Sequence, residues 1–178
     1  MKRALVLAGL AFVALVAQAA VARVLAPQWC PDLGLLVVVG LGLALRSPAT
    51  GVALAALVGY VSDVLSGSLL GQHMLLRMAA FGAARVGSRR LNLRGPVPLA
   101  IFAAGLSAAN GLSTWALAAF FAPGEVPPLP PAGDFVAQAF VNGLLAPFVA
   151  AGVTRIWHSL GDEEGARLMR LEPRKFPA

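Results

Sequence analysis

Three side chains in the stretch "GYVSDVLSGSLLGQHMLLR" can do chemistry: the carboxylate of Asp63, the imidazole of His73 and the guanidinium of Arg77. Such a trio could relay a proton, line a site for a polar ligand, or pair internally and hold helices together. A relay normally places more than one acid at depth, and only Asp63 qualifies. No nucleophile–base pair, phosphate-cradling glycine loop or set of paired carboxylates appears anywhere else, so no catalytic residue and no enzymatic activity are expected. Cys30 is the single cysteine, and His73 and His158 stand far apart, so no disulfide, metal site or cofactor is expected either.

These polar groups stand in an apolar chain. Of 178 residues, 58% are hydrophobic and 12% charged, with a mean hydropathy of +0.78. Soluble domains carry roughly 25% charged residues. An integral membrane protein of one domain is the class this composition allows. The net charge of +6 is gathered in short clusters between apolar runs. That is the pattern of membrane topology, and no nucleic-acid partner is expected.

Apolar runs cover 4–25, 30–45, 49–66, 69–87, 97–121 and 136–157. A spanning helix needs about 20 such residues, so an all-α bundle of six transmembrane helices follows. The second run is short and needs Trp29 and "CPD" to complete a span. The third and fourth are parted by "SGS", which predicts a tight helical hairpin. Lys2 and Arg3, Arg46, the group Arg85, Arg89, Arg90 and Arg94, and the basic tail from Arg155 fall on one side of the membrane. The alternate loops "APQWCPD", "SGS" and "APGEVPPLPPAGD" carry no lysine or arginine. Both termini are therefore expected in the cytoplasm, with Arg23 and Arg77 as exceptions. Residues 1–158 form the membrane domain and 159–178 a cytoplasmic tail. The opening "MKRALVLAGLAFVALVAQAA" has features of a signal peptide, but its apolar run continues through "VARVL", so an uncleaved first helix is expected.

Helical rise sets the depth of the charged groups. With the third span starting near Pro48, Asp63 lies within about 8 Å of the outer boundary of the hydrocarbon. His73 and Arg77 lie about 6 and 12 Å below the same boundary on the fourth helix, and their four-residue spacing puts them on one face. Gly59, four residues before Asp63, permits close helix approach. An unpaired intramembrane charge costs about 2.5–3.5 kcal/mol. The economical arrangement is an Asp63–Arg77 pair with His73 hydrogen-bonded beside it. The same residues facing a partner helix or an outward cavity are the competing arrangement.

Other polar residues carry weaker signals. Asp32 after Pro31 reads as a helix cap. Asn110 and Asn142 suit hydrogen bonds between helices. Trp29, Trp115 and Trp157 suit interface anchoring or packing, and Pro147 predicts a kink.

Read in order, "PDLGLLVVVGLGLALRSP" and "GYVSDVLSGSLLGQHML" resemble the rod shape-determining protein MreD family. Pro31, Asp32, Arg46, Gly59, Asp63, Ser66, Gly67, Gly71 and His73 carry the resemblance, and Arg77 is no part of it. The resemblance implies a component of the bacterial cytoplasmic membrane that supports lateral peptidoglycan synthesis. Its implied partners are MreC and, through MreC, MreB, RodA and a class B penicillin-binding protein. It also implies a likeness to the six-helix S-components of energy-coupling-factor vitamin transporters. A non-enzymatic scaffold is the leading expectation. A small-molecule transport subunit, with Asp63 and His73 lining an outward cavity, is the alternative. Small-residue stretches such as "AAFGAAR" and "AAGLSAANG" would permit close helix contacts, within the chain or with a partner; membrane lipid and a second copy of the chain are also expected partners.

Overall fold

The computed structural model describes residues 2–45, 47–67, 69–91, 93, 95–122, 124 and 128–171, excluding the side chains of 2, 3 and 161–171. Six helices account for most of them: α1 Lys2–Val21, α2 Leu33–Ala44, α3 Pro48–Ser66, α4 Gln72–Arg90, α5 Pro96–Phe121 and α6 Ala132–Leu171. A single 3-10 turn, Pro27–Trp29, precedes α2. No strand occurs among the described residues.

Local sequence sets the helix ends. Asp32 caps α2, its Oδ1 accepting from the Leu35 amide at 2.9 Å. Ser47 caps α3 at 3.4 Å from the Thr50 amide, with Pro48 filling the first turn, where a missing N–H costs nothing. Between α3 and α4, Gly67 and Gly71 both take positive φ, 64° and 94°. Glycine alone enters that region without penalty, so the hairpin turn depends on both. α6 remains helical through Pro147 and on to Leu171, so most of the expected tail continues this helix.

α2 is the central post. It has 12 residues, and Gly34 through Gly42 are buried without interruption. It touches every other helix, with the α3–α4 hairpin on one side, the α5–α6 hairpin on another, and α1 against α2 and α3. Small residues let the backbones close up. A Cβ at Gly40 would meet Val153 at 3.0 Å, and one at Gly42 would meet Ala84 at 2.7 Å. In lipid this packing, rather than water exclusion, holds helices together.

Five helical stretches are long and apolar enough to cross a membrane: Ala4–Val21, Pro27–Ala44, Pro48–Ser66, Pro96–Phe121 and Ala132–Leu160. α4, with four arginines among its 19 residues, does not reach that apolarity. The outer surface is apolar: Val136, Phe140, Leu144 and Phe148 form an exposed stripe at helical spacing on α6. This is a multi-pass helical membrane protein. Asp32 and Asp63 sit at one end of the bundle. Arg85, Arg89 and Arg90, in the last turns of α4, sit at the other.

Candidate functional site

Two polar clamps occupy the acidic end of the bundle. The first joins α3 to α4. α4 begins at Gly71, which has no side chain to cap the first free amides of the helix. Asp63 supplies the missing cap from the neighbouring helix. Its Oδ2 accepts from the Gly71 amide at 2.9 Å and the Met74 amide at 3.3 Å. Its Oδ1 accepts from the His73 amide and from His73 Nδ1, both at 2.8 Å. The ring nitrogen facing a carboxylate must carry the proton, so Nδ1 donates. The carboxylate also lies at the positive end of the α4 dipole.

This geometry needs a very close crossing of α3 and α4, and Gly59 provides it. A Cβ there would stand 2.5 Å from the His73 carbonyl oxygen and 2.6 Å from the Met74 nitrogen. Ser66 finishes α3 by donating its hydroxyl to the Ser62 carbonyl at 2.8 Å. Gly59, Asp63, Gly67, Gly71 and His73 thus build one device, a capped hairpin.

The second clamp joins α4 to α2. Arg77 Nη2 donates to both oxygens of Asp32, at 2.7 and 2.8 Å. Arg77 is 2% exposed. Its Nε and Nη1 find no partner among the described residues. Asp32 therefore serves two helices, capping α2 with the carboxylate that also neutralises Arg77.

Amide and hydroxyl groups extend this second clamp. The Asp32 amide donates to Asn142 Oδ1 at 2.8 Å, and Asn142 Nδ2 donates to Ser107 Oγ at 2.7 Å. Gln18 Oε1 accepts from the Gly34 amide at 3.2 Å. Helices α1, α4, α5 and α6 all meet at the start of α2 in this way. Nearby, Gln72 Nε2 donates to the Thr114 carbonyl and ties α4 to α5.

The expected Asp63–Arg77 pair is not formed. Each group takes a different counterpart, Asp63 the His73 ring and the α4 amides, Arg77 the Asp32 carboxylate. The reason is reach. His73, in the first turn of α4, lies directly across the Gly59 crossing from Asp63. Arg77, one turn deeper, points to the sunken start of α2. The residues missed by sequence reasoning are Gln18, Gln72 and Ser107, and Asp32 in its role as counter-ion. The short α2 was the available signal, because a 12-residue helix must begin well inside the bundle. Asn110 Oδ1 is buried with no partner among the described residues. Trp157 packs on the core, while Trp29 is half exposed beside the 3-10 turn. Arg46 lies outside the described residues.

Chemically, Asp63 is used up. A carboxylate offers about four acceptor sites, and four N–H groups already point at its two oxygens. It is 1% exposed. No group of three metal-ligating side chains occurs among the described residues.

The model of one family, described as rod shape-determining protein MreD, matches residues 2–106, a range that holds Asp32, Asp63, His73 and Arg77. No curated protein and no solved structure gives a match.

Proposed function

We propose that the chain, which belongs to the rod shape-determining protein MreD family, is a non-enzymatic scaffold of the bacterial inner membrane. Family membership ties it to rod shape determination. In the finer reading the scaffold binds the transmembrane helix of MreC, and through MreC it serves MreB, RodA and a class B penicillin-binding protein during lateral wall synthesis. The chain crosses the membrane six times, with α4 as the sixth crossing and both termini in the cytoplasm. The membrane domain is 1–158, and the tail 159–178 lies on the cytoplasmic side.

One observation carries this reading: Asp32, Asp63 and Arg77, the described ionisable groups in the interior of the bundle, are each committed to a contact between helices. Asp63 and Arg77 each have a close partner of complementary charge or dipole. A site that bound and released a polar substrate would need lone pairs or donors open to it; Asp63 has none to offer, and the two unpartnered nitrogens of Arg77 are buried with a side chain that is 2% exposed. The transport reading therefore loses one of the two residues it depended on. The arginines of α4 also favour the crossing. Arg77 is neutralised within the bundle, and Arg85, Arg89 and Arg90 gather at the far end, where basic residues belong in the cytoplasm.

The test is depletion in a rod-shaped bacterium that depends on this chain, together with co-purification from its membranes. Rounded cells and recovery of MreC are expected. Normal shape with a new vitamin requirement would overturn the proposal. So would loss of shape without any association with MreC, which would point to another partner.

A further inference from the structure

We propose that the groove at the arginine-rich end of the bundle holds a phospholipid with an anionic headgroup. The groove exists because α2 stops early. Its helix ends at Ala44, Leu45 turns extended, and Arg85 Nη1 ties off the Leu45 carbonyl at 2.7 Å. Beyond that point α4, α5 and α6 continue without a central helix between them. The space left is about 580 Å³, within the roughly 300–1,000 Å³ of small-molecule sites. Leu43, Leu99, Pro147 and Ala150 form apolar walls, as an acyl chain requires.

The rim has a different character. The hydroxyls of Ser88 and Thr154 line it but donate to the Arg85, Ala150 and Ala151 carbonyls of their own helices, so its charge comes from Arg89 and Arg90, which follow Ser88 in the last turn of α4, both exposed. α5 starts on the same rim at Gly95–Pro96, with no side-chain cap and no acid in its first turn. No described side chain therefore compensates the positive end of its dipole. Among the described side chains the acids are Asp32, Asp63 and Asp134, all at the opposite end. An apolar slot beneath a cationic rim is complementary to a phosphodiester above an acyl chain. A free phosphate would leave the apolar walls unused. Exposed Ala151 and Pro96 open the groove sideways, where lipid can enter.

The inference uses the proposed orientation only to name the cytoplasmic leaflet, and it is independent of MreC binding. The full chain is purified in detergent with equal phosphatidylglycerol and phosphatidylethanolamine, and retained lipid is read by native mass spectrometry. Retention of phosphatidylglycerol is expected to exceed that of phosphatidylethanolamine by roughly fivefold for each arginine engaged. Replacing Arg89 and Arg90 together by alanine should bring the two lipids close to parity. Thr154→Trp should fill the groove and expel both, with an unchanged unfolding profile. If that variant fails to fold, Ala151→Phe on the exposed rim takes its place. Equal retention by the unaltered chain overturns the proposal, as does retention untouched by the groove-filling change. Displacement by excess glycerol phosphate would overturn it in favour of a free-anion site. Disulfide cross-linking of Ala151→Cys to a second copy would overturn it in favour of an interface. A chain that retains phosphatidylglycerol but fails to recover MreC would sink the scaffold reading alone.

Discussion

Arg77 passes over Asp63 and donates from Nη2 to both oxygens of Asp32, at 2.7 and 2.8 Å. The two residues are far apart in sequence, yet this contact fixes where α2 begins relative to α4. Asp32 compensates two positive charges there, the guanidinium and the partial charge at the start of α2. The pair is consequently asymmetric. Without Arg77 the carboxylate still has the helix terminus to stabilise. Without the Asp32 charge, a buried cation faces the positive end of a dipole.

Asp32→Asn should accordingly do more damage than Arg77→Gln. Removing one partner of a buried pair costs about 3–5 kcal/mol. The introduced amide oxygen would still cap α2, so the loss reports the contact with Arg77, its charge and one of its two acceptor oxygens, rather than the cap. Unfolding in detergent should place Asp32→Asn lowest in stability and Arg77→Gln above it. The double variant should lose less than the two single losses added together. Strict additivity would mean that the contact contributes nothing.

The capped hairpin makes a second ordering. Asp63→Asn keeps the volume but replaces one acceptor oxygen by a donor facing backbone amides. Each buried donor left unsatisfied costs about 1–3 kcal/mol. His73→Ala removes the ring donor and leaves the amides capped, so a loss of about 1 kcal/mol is expected. Protease susceptibility of the 66–72 turn should rise strongly for Asp63→Asn and slightly for His73→Ala. The reverse order would show that the imidazole, rather than the amide cap, holds the hairpin.

Hydropathy made the helical membrane class legible, and "SGS" marked the hairpin because three small polar residues cannot continue an apolar run. The energetic need for partners at Asp63 and Arg77 was legible too. Which partner each takes was not. Helical rise measures depth along one helix but says nothing about direction around it, so Asp63 and Arg77 looked level and therefore paired. α2 breaks that ruler. Its first turn bonds to Asn142, well inside a helix that begins at Ala132, so Asp32 lies deeper than its position in a loop implies. The cap at Gly71 was hidden for a related reason. A glycine at a helix start signals an absent side chain, and the carboxylate that replaces it comes from another helix.

Gly59 gives a steric test. Its missing Cβ leaves room for the Met74 backbone, so Gly59→Ala must push α3 away from α4. Overpacking costs about 1–3 kcal/mol, and the displacement also lengthens the Asp63 bonds. Gly82→Ala is the matched control, because nothing lies within 4 Å of its added carbon. Only the first should lower the melting temperature in detergent. Equal melting temperatures would show that the hairpin tolerates a wider crossing.

α4 decides the topology, since it is the helix whose arginines weaken its claim to cross. Leu70, just before it, and Leu91, just after it, are 75% and 58% exposed, so cysteines placed there are open to reagent. With Cys30, the single native cysteine, replaced by alanine, each site can be read alone. An impermeant maleimide applied to spheroplasts should label Leu70→Cys at once, and Leu91→Cys only after permeabilisation. Opposite sidedness requires α4 to cross and the Arg77–Asp32 pair to lie in the outer half of the bundle. Labelling of both from one side would leave five crossings and put the two termini in different compartments.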